Sequence, residues 1–131
     1  MKIILDTNVL ISAFLTESGP SSQVFQMTGR GHVLILSDYS LKEFQRKMRD
    51  KLKWPGEEIE TAIAYLKKRA VILNPSGIPE PPFSDAKDIP ILQLALFCGA
   101  HYLITGDRKL LDLQKIDTTS LINPRDALRI L

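Results

Sequence analysis

The sequence predicts an α/β fold: a parallel sheet of about five strands covered by helices on both faces. Two observations carry that expectation. Short apolar, β-branched runs alternate with segments of helical periodicity along the whole chain. Several carboxylates also fall where such runs end, which in an open α/β sheet is the edge that forms a binding crevice.

The elements follow in order. Residues 2–5 (Lys-Ile-Ile-Leu) read as a buried strand, and Val9–Leu15 as a helix that Thr7 or Asn8 can cap. Glu17-Ser18-Gly19-Pro20 makes a turn, and a second helix runs from Ser21 or Ser22 to Met27, stopped by Gly29 and Gly31. Val33–Leu36 is the second strand. Ser37 caps a helix reaching about Leu52, where Trp54-Pro55-Gly56 interrupts. The helix Glu57–Arg69 places Ile59, Ile63, Leu66 and Ala70 on one face. Val71–Leu73 is the third strand.

Between Asn74 and Ser84, four prolines (Pro75, Pro79, Pro81, Pro82) mark a stiff, extended loop. Asp88–Cys98 is a helix with Pro90 in its first turn and Gly99 as its stop. Tyr102–Thr105 is the fourth strand, Lys109–Leu113 a short helix and Ser120–Ile122 the fifth strand. Asn123-Pro124 opens the last helix.

Composition narrows the class. With 131 residues, 44% of them hydrophobic and 24% charged, the chain suits one globular domain over 1–131. A lone Cys98 cannot form an internal disulfide and reads as a buried thiol in a reducing compartment. The apolar start is interrupted by Asp6 and Asn8, which argues against a signal peptide, and no run reaches membrane-spanning length. The expected location is the cytoplasm, with no membrane partner. Net charge is only +2, but basic residues concentrate between Lys42 and Lys53 and again at Lys67-Lys68-Arg69. They read either as solvated helix faces or as a phosphate-tracking surface.

Right-handed crossovers bring the segments after each strand to one sheet edge. Asp6, Glu43, Asp88 and Asp107 would then converge, and acids gathered without matching Arg or Lys repel one another unless a divalent cation joins them. Each has a plainer reading. Asp6 or Asp88 could be a helix cap, and Ser40-Leu41-Lys42-Glu43 matches a capping box unless the helix starts at Ser37. Asp85 could take the place of Asp88. His32 and His101 fall at strand entrances on the opposite edge, and Asp112, Asp117 and Asp126 read as surface residues.

Leu5-Asp6-Thr7-Asn8-Val9-Leu10, the Glu43 helix, Asp85-Ala86-Lys87-Asp88 before an apolar helix, and Leu103-Ile104-Thr105-Gly106-Asp107 occur in that order. Together they resemble a PIN domain of the kind that serves as the toxin of a toxin–antitoxin pair. The resemblance extends to the closing Asn123-Pro124-Arg125-Asp126; the one departure is Asp38-Tyr39 after Ser37. It implies a three-layer α/β/α sandwich and Mg²⁺- or Mn²⁺-dependent endoribonuclease activity leaving 5′-phosphate and 3′-hydroxyl ends. It also implies RNA as substrate, a homodimer, and a cognate antitoxin that occludes the site.

By position, Asp6, Glu43, Asp88 and Asp107 would be the catalytic, metal-binding acids, with Asn8, Thr105 and Asp85 in support. Lys42, Arg46, Arg108 and Lys109 are the candidates for RNA backbone contacts. Two rivals stand beside this expectation. One is a phosphatase forming an aspartyl-phosphate on Asp6, which prefers an acid where this chain has Asn8; the other is a non-catalytic PIN-like module that binds RNA or protein.

Overall fold

A computed structural model describes all residues, Met1–Leu131. Six strands form one sheet: β1 (Lys2–Leu5), β2 (Val33–Leu36), β3 (Val71–Ile72), β4 (Tyr102–Ile104), β5 (Lys115–Ile116) and β6 (Thr119–Ile122). Seven α-helices accompany them: α1 (Thr7–Leu15), α2 (Pro20–Met27), α3 (Asp38–Asp50), α4 (Gly56–Arg69), α5 (Ile89–Cys98), α6 (Arg108–Leu113) and α7 (Pro124–Ile130). A 3₁₀ turn, Ala86–Asp88, precedes α5.

The strand order is β3-β2-β1-β4-β6-β5, parallel throughout except for the β5–β6 pair. From β1 the chain winds outward through β2 to β3, then returns to place β4 on the other side of β1. The sheet therefore reverses its winding between β1 and β4, the place where open α/β sheets leave a crevice at the carboxyl ends of their strands.

Alternation along each strand divides the core into two layers. Ile3, Leu5, Leu34, Leu36 and Ile104 pack with Val9, Leu10, Val24, Phe44, Met48 and Leu66 on one face. Ile4, Ile35, Leu103 and Leu121 pack with Ile91, Leu92, Leu94 and Leu110 on the other. Helices α1 to α4 and α7 thus cover one face and α5 and α6 the second, giving the three-layer α/β/α arrangement. No helix is long and apolar enough to cross a membrane.

Several details differ from expectation. The two-residue β5 joins the sheet antiparallel as a sixth strand, and β3 stops at Ile72 although the Leu73 amide still donates to the Leu36 carbonyl at 2.9 Å. Helix α1 starts at Thr7 because Asp6, rather than Thr7 or Asn8, is its cap. The buried stripe of α4 is Ile59, Ala62 and Leu66, with Ile63 only partly covered. Cys98, the last residue of α5 before the left-handed Gly99 stop, is half-buried rather than enclosed.

Candidate functional site

Asp6 follows β1 directly, and its amide donates to the Ile104 carbonyl of β4 at 2.9 Å, so the two strand ends are stitched side by side. Each of its carboxylate oxygens accepts one hydrogen bond and keeps a further lone pair. One oxygen accepts from the Thr7 amide (2.8 Å) and the other from the Thr105 hydroxyl (2.7 Å). Thr105, fully buried at the end of β4, in turn accepts from the Asp107 amide at 3.0 Å. Asp107 turns back over that bond and caps α6 through the Lys109 amide at 2.9 Å. Thr105 thereby fixes both Asp6 and the backbone of Asp107.

Glu43 arrives from the opposite direction. Ser37 caps α3, accepting from the Ser40 amide at 3.2 Å, which leaves Ser40 in the helix interior and removes the need for a capping box. Glu43 is therefore free to face the crevice, one turn after Tyr39. Asp88 comes from the other face of the sheet. It holds the N-cap position of α5, yet its side chain makes no capping bond, and its buried Oδ2 has no hydrogen-bond partner.

Asp6, Glu43, Asp88 and Asp107 line one cavity of about 230 Å³, together with Asn8, Arg46, Lys47, Lys51 and Lys87 and no apolar residue. The cations modify the expectation that the acids lack matching charge. Lys47 stands 3.6 Å from Glu43 and donates to the Asn8 side-chain carbonyl at 3.0 Å. Asp6, Asp88 and Asp107 have no ion pair. The cavity is thus an acidic floor with a basic rim supplied mostly by α3.

The electrostatics follow from that division. Burial raises the Asp6 carboxyl above its ordinary range, although its hydrogen bonds to Thr105 and Thr7 oppose the change. Asp88 is pushed up to about 7 by burial and by the charges of Asp107 and Asp6. A buried carboxylate oxygen without a donor, facing two other carboxylates, is costly unless a proton or a cation joins it. No three acids close on a single ligating point. The oxygen-only donor set is of the kind that suits a hard divalent cation keeping part of its water shell, and Asp6, Asp88, Asp107 and Glu43 are the residues that would hold one, directly or through water.

Other expected positions fall outside. Asp85 caps the 3₁₀ turn through the Lys87 amide (3.3 Å) and lies 3.7 Å from the Lys87 ammonium, away from the cavity lining. Lys42 lines a separate depression with Asp38, Gln45 and Lys67. Arg108 is 89% exposed, 3.9 Å from Asp112, and neither it nor Lys109 lines the cavity. Conversely, Lys47, Lys51 and Lys87 are cavity residues that the sequence did not single out. Their signal was present: Lys47 and Lys51 follow Glu43 at intervals of four on one helix face. A larger groove of about 550 Å³ beside Phe14, Trp54 and Tyr65 is mostly apolar and holds only Glu57 and Glu58 as ionisable groups with unshared charge.

A family model described as PIN domain matches residues 2–109, a span that contains all four acids. The chain belongs to the PIN domain family. No protein of curated function matches this PIN domain in sequence.

Among solved structures it is similar to VapBC-1 from nontypeable Haemophilus influenzae. The two share 20% identity at a TM-score of 0.69, over 95% of this chain and 99% of that one. It is likewise similar to VapBC2 from Rickettsia felis, solved bound to a DNA fragment from its promoter. Here identity is 17% and the TM-score 0.68, over 94% and 98% of the two chains. The PIN domain endonuclease Utp24 is similar at 17% identity and a TM-score of 0.57, over 93% and 84%. At these identities the likeness is one of fold.

Proposed function

We propose that this PIN domain is a metal-dependent endoribonuclease and the toxin component of a toxin–antitoxin pair. The observation that carries the reading is the convergence of Asp6, Glu43, Asp88 and Asp107 on one polar cavity, with an Asp88 oxygen left without a donor. Membership of the PIN family and the likeness to an endonuclease and to two VapBC proteins support it.

When bound, Mg²⁺ or Mn²⁺ supplies Lewis-acid stabilisation of the charge that develops on phosphate oxygens. The chain does the rest. Asp6, Asp88 and Asp107 hold the cation, with Thr105 fixing the Asp6 carboxylate and Asn8 standing at the cavity wall. Glu43 orients the attacking water and accepts its proton, while Lys47 holds Glu43 in place. Arg46, Lys51 and Lys87 draw the phosphate backbone over the acids, which would otherwise repel it.

The test is cleavage of a labelled structured RNA by purified protein with Mn²⁺, Mg²⁺ or EDTA, with Asp6→Asn in parallel. The expected outcome is cutting that needs the metal and falls by at least about 100-fold in the variant, the scale of losing a charge-stabilising contact. Wild-type cutting by Asp6→Asn would overturn the assignment. Absence of cutting by the folded wild type would favour a binding module. The toxin reading adds a homodimer, checked by light scattering, and a small antitoxin whose gene adjoins this one and whose product blocks cleavage.

A further inference from the structure

Tyr39 is the unexplained residue of α3. It lies in the helix's first turn, between the polar Asp38 and the buried Ser40 and Leu41, and is 43% exposed. The remaining aromatic contacts form a separate cluster of Phe14, Phe25, Phe44 and Tyr65, so Tyr39 is not a core ring. Its hydroxyl is nevertheless fixed, donating to the Lys87 backbone carbonyl at 3.3 Å. The ring therefore spans from α3 to the 3₁₀ turn that carries Asp88.

That position lies beside the acidic cavity, at the backbone of its lining residue Lys87. Glu43 lies one turn further along the same helix face, and Arg46, Lys51 and Lys87 line the cavity beside it. Burial, and then the charge of Glu43, push the phenol up, with Arg46 opposing them. An exposed aromatic ring beside a basic track is the combination by which proteins hold unpaired nucleic acid: cations follow the backbone and the ring stacks a base.

We propose that Tyr39 is a base-stacking residue that holds a nucleobase of an unpaired strand next to the phosphate in the acidic cavity. The proposal rests on the nuclease reading above and adds to it the residue that selects the substrate's conformation. A base inside a duplex has both faces covered by its neighbours, so only a splayed or single-stranded nucleotide can use the ring. The hydroxyl bond to Lys87 holds the ring at a fixed angle, which lowers the cost of ordering it on binding.

The test is an anisotropy titration of a fluorescein-labelled single-stranded RNA oligonucleotide against protein carrying Asp6→Asn, which suppresses cutting. Tyr39→Phe keeps the ring and loses the hydroxyl; Tyr39→Leu loses the ring face. Binding of the strand should stay within about 2-fold for Tyr39→Phe and weaken about 5-fold or more for Tyr39→Leu. A blunt duplex of the same sequence should bind all three alike.

In the Asp6-containing protein, Tyr39→Leu should raise KM with kcat little changed. Tyr39→Trp should bind the strand at least as tightly as the parent, which decides the matter should Tyr39→Leu fold poorly. Equal loss in the Phe and Leu variants would reduce Tyr39 to a brace for the 3₁₀ turn and overturn the proposal. Undiminished binding by a folded Leu variant, or weaker binding by the Trp variant, would do the same. Failure of the nuclease reading shows separately, as no cutting by the Tyr39 protein while the binding series still decides the ring's role.

Discussion

At Asp88, burial and the charges of Asp107 and Asp6 all favour the protonated carboxyl, whose pKa is pushed up to about 7. In the unfolded chain the same group titrates near ~3.9. Between those values the folded protein keeps a proton that the unfolded chain has released. Metal-free stability therefore falls as pH rises from about 4 to about 7, then levels off. Asp88→Asn removes the titrating group and should melt higher than wild type in EDTA, by a margin that grows from pH 5 to pH 8. Thermal scans at the two pH values check this, and a constant margin would mean that the carboxyl titrates normally. Why the convergence of the four acids was readable is also a residue-scale matter: Asp6, Asp88 and Asp107 sit at element ends, where the topology places them without knowledge of packing, and Glu43 follows from the α3 start at Ser37. Spacing favoured Asp88 over Asp85 only because it lies closer to the start of the apolar helix. The 3₁₀ turn gives the physical distinction: Asp85 bonds the Lys87 amide and the Asp88 side chain caps nothing. Lys47 and Lys51 were read only as part of the basic stretch from Lys42 to Lys53, because a run of lysines on a helix reads equally well as a solvated face.

Elements in this protein are held at their ends as much as along their lengths. Arg69, the last residue of α4, reaches the open end of α2: its guanidinium donates to the Phe25 and Gln26 carbonyls at 2.6 and 3.0 Å and to the Thr28 hydroxyl at 3.3 Å. It also sits 4.5 Å above the Phe25 ring and has no acidic partner. It adds a charged donor to carbonyls at the C-terminus of α2, which the Thr28 and Gly29 amides reach only at 3.2 and 3.3 Å, and opposes the dipole there. Arg69→Met keeps the apolar stem and removes the donors, so it should cost about 2 kcal/mol in urea unfolding, with Arg69→Lys recovering part. A loss under about 0.5 kcal/mol would show that water serves α2 as well. The sequence displayed Lys67-Lys68-Arg69 as one basic cluster, and nothing in it told Arg69 apart from its neighbours. Strand β5 was hidden for another reason. Two residues, Lys115 and Ile116, are too short for a period to show. Their pairing with β6 depends on a turn in which Asp117 takes a φ of 51°. Longer elements with caps and apolar runs, such as β1, β2, α3 and α5, were legible because local pattern and global burial agree there.

Over the whole molecule, the reversal of winding between β1 and β4 gathers acids from both layers: Glu43 from the helices on one face, Asp88 from the segment on the other, and Asp6 and Asp107 from the strand ends between them. Their repulsion therefore acts across the sheet, and a cation bound among them would tie the two layers together. A ligand that binds the folded state at 100 times its Kd adds about 2.7 kcal/mol, enough to move the melting temperature by several degrees in a domain of this size. Asp107→Asn separates the two effects. The amide oxygen can still accept from the Lys109 amide, as the Asp107 carboxylate does at 2.9 Å, so the cap of α6 survives the substitution. In EDTA the variant should melt higher than wild type, because one charge has left the acidic floor. With Mg²⁺ or Mn²⁺ its stabilisation should shrink, because one ligand has left with it. Thermal scans of both proteins across a metal titration read the two changes independently. A higher metal-free melting point with an undiminished metal response would place Asp107 among the repelling charges but outside the ligand set.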